Sequence, residues 1–237
     1  MNIKLMIKPP FFEVGPKAYL FGQEFVDLAK FADELTQKYD VRIILTPQYV
    51  DIPAVVKATR HVFVFAQHMD YLPVGRGIGA VLPEALRAAG AVGVLLNHIE
   101  KRLSIEDLAK TIARAKDVGM MTMVCADHTE DAVAIAEMNP TIIVAEPPEM
   151  IGAGKRDVDE LSQIGQIDKA VRSANENILV LHGAGIRGPG DVYNVIAAGA
   201  IATGSSSAVF LAEDRFQMLE DMIRAIHEAW IEKQESN

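Results

Sequence analysis

Cysteine is nearly absent from this chain: Cys125 stands alone among 237 residues. A single thiol excludes an intrachain disulfide framework and fits a reducing compartment. No basic run is present and the net charge is −9, which speaks against nucleic acid as a partner. No apolar run reaches the length that spans a bilayer. The first residues also lack the charged start, long apolar stretch and small-residue cleavage site of a secretory leader. The expectation is a cytoplasmic protein with no membrane partner. A G-x-G-x-x-G fingerprint after the first strand is missing too, which argues against an open, doubly wound dinucleotide-binding sheet. A small anionic substrate stays open, because local amides and one or two lysines outweigh a diffuse negative surface.

What is present is a large apolar fraction, half of all residues, arranged as short β-branched runs alternating with amphipathic segments. The runs predict strands at 3–8, 42–46, 62–66, 93–97, 121–125, 141–146, 178–181 and 200–203. Helices are expected at 23–38, 105–118, 130–138, 158–174, 190–198 and 215–232. In the second of these, Ile105, Leu108, Ala109, Ile112 and Ala115 fall on one stripe. Apolar strands alternating with helices imply a parallel sheet covered by helices. Eight of them, with no composition break or linker, predict a single (β/α)₈ barrel over residues 1–237.

In such a barrel the site lies at the C-terminal ends of the strands. Polar residues ending strands are therefore candidates: Lys8, Gln67, Asn97, His98, Asp127 and Glu146. The segment after Glu146 stands out. Pro147 and Pro148 force the chain out of the sheet, and Gly152 and Gly154 permit close approach to a ligand. Two readings fit it: a lid closing over a base, or an ordinary loop with a surface glutamate. Three further histidines, His68, His128 and His182, fall near strand ends, but their spacing matches no metal-ligand pattern. Cys125 reads as a buried small residue.

Leu95-Leu96-Asn97-His98-Ile99-Glu100-Lys101-Arg102 resembles the L-N-H-S-E-R segment of triosephosphate isomerases, particularly the short archaeal type. Ala145-Glu146-Pro147-Pro148-Glu149-Met150-Ile151-Gly152-Ala153-Gly154 resembles their Y-E-P-P-E-L-I-G-T-G. Gly183-Ala184-Gly185-Ile186 resembles the loop after their seventh strand. The resemblance runs in order from about residue 8 to residue 209. It implies an aldose–ketose isomerase, with Glu146 as the base that shuttles a proton, His98 as the electrophile and Lys8 as the cation. Asn97 and Glu100 would support the histidine. Phosphate would be held by loop amides near Gly152, Ala153 and Gly154, near Gly183 and Gly185, and near Gly204, Ser205, Ser206 and Ser207. No metal or cofactor is implied, and the partner is a small phosphorylated sugar. A homodimer or homotetramer is expected.

Set against that family, Met6-Ile7-Lys8 takes the place of N-x-K, so an asparagine is lost. Ile78 stands for a loop threonine that reaches across a dimer interface, Ile99 for a serine and Ala145 for a tyrosine. A roomier, more apolar site is expected. That leaves room for a related sugar phosphate, such as a tetrulose phosphate, as substrate, or for a phosphate-binding barrel of low activity.

Overall fold

The computed structural model describes residues 7–146 and 158–235. Eight strands, all parallel to their neighbours, close into a barrel in sequence order. They are β1 (Phe11–Val14), β2 (Arg42–Leu45), β3 (Phe63–Ala66), β4 (Gly93–Leu96), β5 (Met121–Ala126), β6 (Ile142–Ala145), β7 (Leu179–His182) and β8 (Ala202–Ser205). Around them run α1 (Gly22–Tyr39), α2 (Ile52–Ala58), α3 (Pro83–Ala89), α4 (Ile105–Asp117), α5 (Thr129–Glu137), α6 (Val158–Ala174), α7 (Pro189–Ala197), α8 (Ser207–Phe210) and α9 (Arg215–Glu235).

Both strand faces are apolar because each faces a different core. Phe11, Ile44, Phe65, Met123, Val144 and Leu181 point into the barrel, while Phe12, Ile43, Val64, Val124 and Ile143 point outward against the helices. The period of two along each strand produces this division. Inside the barrel the ring of Phe65 lies flat against β4. A Cβ on Gly93 would fall 2.4–2.6 Å from three of its ring atoms, so only glycine allows that packing. Helix α4 shows how a surface helix is set. Ser104 Oγ accepts the Asp107 amide at 3.1 Å, and Glu106 and Asp107 occupy the positive N-terminal turn. Its buried face is Leu108, Thr111, Ile112 and Ala115. Ile105 and Ala109, expected on that face, are exposed.

The first strand differs from expectation. Residues 1–6 lie outside the described part; Ile7 is buried and Lys8 is exposed. The strand that closes the barrel against β2 and β8 is Phe11–Val14. Pro9 and Pro10 precede it, at the strand entrance, where a missing N–H costs no ladder bond. The short helices α2, α3 and α8 were not expected; the first two hold seven residues and carry proline in their first turn.

Candidate functional site

A cavity of about 500 Å³ opens at the C-terminal ends of the strands. His98 and Glu146 both line it, one after β4 and the other after β6. Lys8 does not. It precedes β1, at the opposite end of the barrel from the cavity, and is the one expected catalytic residue that the fold keeps away from the others. Lys17, in the turn that follows β1, lines the cavity instead.

Lys17 is held from several sides. Its Nζ reaches Glu100 Oε1 at 2.6 Å. Its carbonyl accepts from Gln48 Nε2 at 2.6 Å and from Gln67 Nε2 at 3.0 Å. Gln67 also donates to the Thr46 carbonyl at 2.9 Å, tying the loops after β1, β2 and β3 together. The backbone at Lys17 takes φ 47°, a left-handed conformation that costs a non-glycine residue strain and persists where its surroundings enforce it. The two glutamine contacts supply that enforcement.

His98 is positioned from the other direction. The Glu100 amide donates to its Nδ1 at 3.1 Å, so in the neutral ring the proton sits on Nε2. Burial, reinforced by the charges of Lys17 and Arg102 and opposed by Glu100, holds His98 below its ordinary pKa. The ring is therefore a neutral donor near neutral pH. Glu100 lies below the usual carboxylate range chiefly through its hydrogen bond from Lys17. Asn97 anchors the loop that carries the histidine. Its Nδ2 donates to the Cys125 carbonyl at 3.0 Å, and its Oδ1 accepts the Leu103 amide at 3.2 Å. It sits at φ 60°, a region asparagine tolerates. Arg102 bonds the Asn97 carbonyl at 3.1 Å and both oxygens of Asp127 at 2.6 and 2.5 Å. Asp127, a candidate from its place at a strand end, is thus a tether between two loops.

Glu146 projects inward because β6 alternates: Val144 faces the barrel interior, Ala145 faces the helices and Glu146 turns back to the cavity. Its Oε2 lies 3.7 Å from the buried Cys125 Sγ, and a Cβ on Gly183 would approach its Oε1 to 2.8 Å. Ala145 therefore does not widen the cavity, contrary to expectation. The space it frees lies behind the sheet, where it lines a separate small hollow with Asp127, Gln163 and Ile167.

Gly183, Gly185, Gly204, Ser205, Ser206 and Ser207 all line the cavity. Ser206 Oγ donates to the Gly15 carbonyl at 2.6 Å, while Ser205 Oγ is buried and finds no partner among the described residues. The lid segment, with Gly152, Ala153 and Gly154, lies outside the described residues, as does Met6. Ile78 is fully exposed and Ile99 partly so. The three spare histidines are accounted for separately. His68 faces Asp70 at 3.4 Å, His182 is buried 2.9 Å from Asp168, and His128 is exposed at the start of α5.

A further carboxyl, not among the candidates from the sequence, also lines the cavity. Glu13, at the third position of β1, faces inward and shares the cavity with Glu146. Its Oε1 accepts from Thr46 Oγ1 at 2.8 Å. Burial pushes its pKa up to about 8; Thr46 opposes the rise, Glu146 adds to it and Lys17 reduces it. Burial also drives the Cys125 thiol well above its normal range, and both glutamates contribute. The signal for Glu13 was the acidic residue inside Phe11-Phe12-Glu13-Val14, a run otherwise fit for a buried strand.

The chain matches the family model for triosephosphate isomerase over residues 17–208. It is 34% identical over 223 residues to the triosephosphate isomerase of Sulfurisphaera tokodaii, an alignment spanning 92% of this chain and 95% of that protein. Against the triosephosphate isomerase of Methanothermus fervidus the identity is 34% over 208 residues, with 85% and 91% covered. Against that of Saccharolobus solfataricus it is 34% over 230 residues, with 92% and 96% covered.

Proposed function

The chain belongs to the triosephosphate isomerase family, and we propose on that footing that it interconverts dihydroxyacetone phosphate and glyceraldehyde 3-phosphate. The observation that carries the proposal is one cavity holding a carboxylate, Glu146, a neutral imidazole, His98, and a cation, Lys17. Triosephosphate isomerase is itself the standard case of a carboxylate base paired with a neutral histidine.

Glu146 takes a proton from the carbon next to the carbonyl. The C–H electron pair becomes the carbon–carbon double bond, and the carbonyl oxygen takes the negative charge of the enediolate. His98 Nε2–H donates to that oxygen, and the ring then exchanges protons between the two neighbouring oxygens. Glu146 returns its proton to the adjacent carbon. Lys17 lowers the energy of the anionic intermediate, the role that sequence comparison had given to Lys8. Depression of the His98 pKa supports this reading, because a neutral imidazole can give its Nε2 proton to one oxygen and recover a proton from the neighbouring hydroxyl. The amides of the loops at 183–187 and 204–207 supply a phosphate site. Asn97 and Glu100 position His98.

We also read residues 1–237 as one barrel unit, cytoplasmic, and assembled as a homodimer or homotetramer. Exposed Tyr71, Val74 and Ile78 after β3 support assembly, which sedimentation would measure.

The test is turnover of glyceraldehyde 3-phosphate beside erythrulose phosphates. A triose rate no better than the uncatalysed background refutes the assignment. Glu146→Asp, which withdraws the base by about a methylene, should cost at least a hundredfold in kcat, because displacement of about 1 Å is enough for that.

A further inference from the structure

We propose that Glu13 is a second working carboxyl of the cavity, a substrate-facing acid whose O–H is donated to an oxygen of the enediolate. The proposal rests on the isomerase reading and adds a residue to it.

The first argument is space. The Glu13 carboxyl occupies a berth cleared by glycines on two strands. A Cβ on Gly15 would stand 2.7 Å from its Oε1 and 2.8 Å from Thr46 Oγ1, and one on Gly204 would stand 3.2 Å from its Oε2. Gly204 is its register partner on β8. The second argument is hydrogen bonding. Thr46 satisfies Oε1, whereas Oε2, on the Gly204 side, makes no hydrogen bond to the described residues and is not among the sealed, unpartnered atoms, in a side chain that lines the cavity.

The third argument is charge. Glu146 must be ionised to act as a base, and a second carboxylate in the same apolar-walled cavity would oppose both it and the anionic intermediate. The titratable groups facing Glu13 are Glu146 from β6, Cys125 from β5 and Lys17 from the turn after β1. Across the cavity, among the described residues, stand Tyr49, His68, His98, Glu100, Lys101 and Arg187. β2 and β8 present only the Thr46 hydroxyl, glycine and serine. Of the cations lining the cavity, Lys17 is the one that acts on Glu13, and it is already paired to Glu100, while Arg187 pairs with Asp191, so the arrangement favours one ionised and one neutral carboxyl. The neutral one is then a positioned donor of the kind that stabilises oxyanions. The proton it shares stays on Glu13 through the cycle; only Glu146 exchanges a proton with carbon.

The consequence is an alkaline limit on kcat. Once Glu13 ionises, the donor is lost and a negative charge faces the intermediate. Three variants and one control test this. The wild type should lose kcat as pH rises through about 8. Glu13→Gln keeps an N–H donor and cannot ionise, so its profile should stay flat across that range. Glu13→Val should lower kcat roughly a hundredfold or more at neutral pH, the cost of one oxyanion donor. Thr46→Val should move the limit to higher pH, and Cys125→Ala should leave it in place. An alkaline limit that persists in Glu13→Gln, or a Glu13→Val enzyme with full kcat, overturns the proposal. If the wild type turns over no triose phosphate, the substrate assignment fails instead. Glu13 is then judged by pH-dependent binding of 2-phosphoglycolate, an anion resembling the enediolate. Binding that weakens near pH 8 in the wild type but not in Glu13→Gln supports the donor role, and identical profiles refute it.

Discussion

Replacing Glu13 by glutamine should make this protein more stable, and the gain should grow with pH. The folded state holds the Glu13 proton up to about pH 8, whereas an unfolded chain releases it near 4.5. Between those values the folded state binds more protons, so raising the pH favours unfolding. The sign is that of a raised pKa: the contribution is fully present below 4.5 and is lost progressively until pH passes about 8. Each pH unit in that window costs about 1.4 kcal/mol. At pH 7 the cost is therefore about 3 kcal/mol, trimmed to roughly 2–3 kcal/mol by water entering the cavity. That is a large share of a typical domain's stability of about 5–15 kcal/mol. Glutamine keeps the shape and a hydrogen-bond partner for Thr46 but has nothing to ionise. The assay is urea unfolding of both proteins in parallel from about pH 5 to about pH 9, taking the difference at each pH so that all other groups cancel. A difference near zero at the acid end, rising to roughly 2–3 kcal/mol at pH 7, is expected. A difference independent of pH refutes the reasoning, because Glu13 would then be ionised in the folded protein at no special cost.

Exchanging each of the two lysines separates their roles. A unit charge at about 4 Å in an effective dielectric of about 20 is worth about 4 kcal/mol, so Lys17→Ala should lower kcat/KM about a thousandfold, while Lys8→Ala should leave it within about twofold of the wild type; equal losses would return the role to Lys8. Removing Lys17 also removes one of the charges depressing the His98 pKa, so the acid limb of the kcat profile should shift to higher pH in Lys17→Met. Gly93→Ala should destabilise by about 1–3 kcal/mol through collision with the Phe65 ring, with Phe65→Leu relieving part of the loss in the double variant; an unchanged melting point would contradict the packing. Ser104→Ala should cost about 1 kcal/mol by uncapping α4, read from thermal unfolding.

The barrel was legible in the sequence because its strands are apolar on both faces, and seven of the eight fall within two or three residues of their expected limits. The first strand was hidden by its own chemistry. A carboxylate sits where an apolar residue is expected, and two prolines in front of it look like an ending rather than an entrance. With the first strand expected at 3–8, the cation fell on Lys8 and the lost asparagine on Met6, whereas the turn after the observed strand reads Gly15-Pro16-Lys17 and Lys17 is the lysine that lines the cavity. His98 and Glu146, whose flanking segments are specific by themselves, both line the cavity. The fate of Ala145 could not be read from a motif at all: which face of β6 it occupies follows from the alternation around Glu146. Glu13 was missed for the reason that makes it interesting, namely that local pattern rules treat a charge in a strand as an interruption. The helices α2 and α3 are too short for a periodic stripe to register.

The seam between β1 and β8 carries a further implication. Glu13 lies opposite Gly204 across it, and Ser206 bonds the Gly15 carbonyl over 191 positions of chain. The cavity floor is thus shared between the earliest and the latest strands of the barrel. A chain still being synthesised, or one folded only as far as β6, holds His98 and Glu146 but lacks the wall that completes their pocket. Enzymatic competence therefore arrives with the last seam and reports ring closure itself. Refolding followed by recovered turnover would time that final step, whereas helical signal would rise earlier.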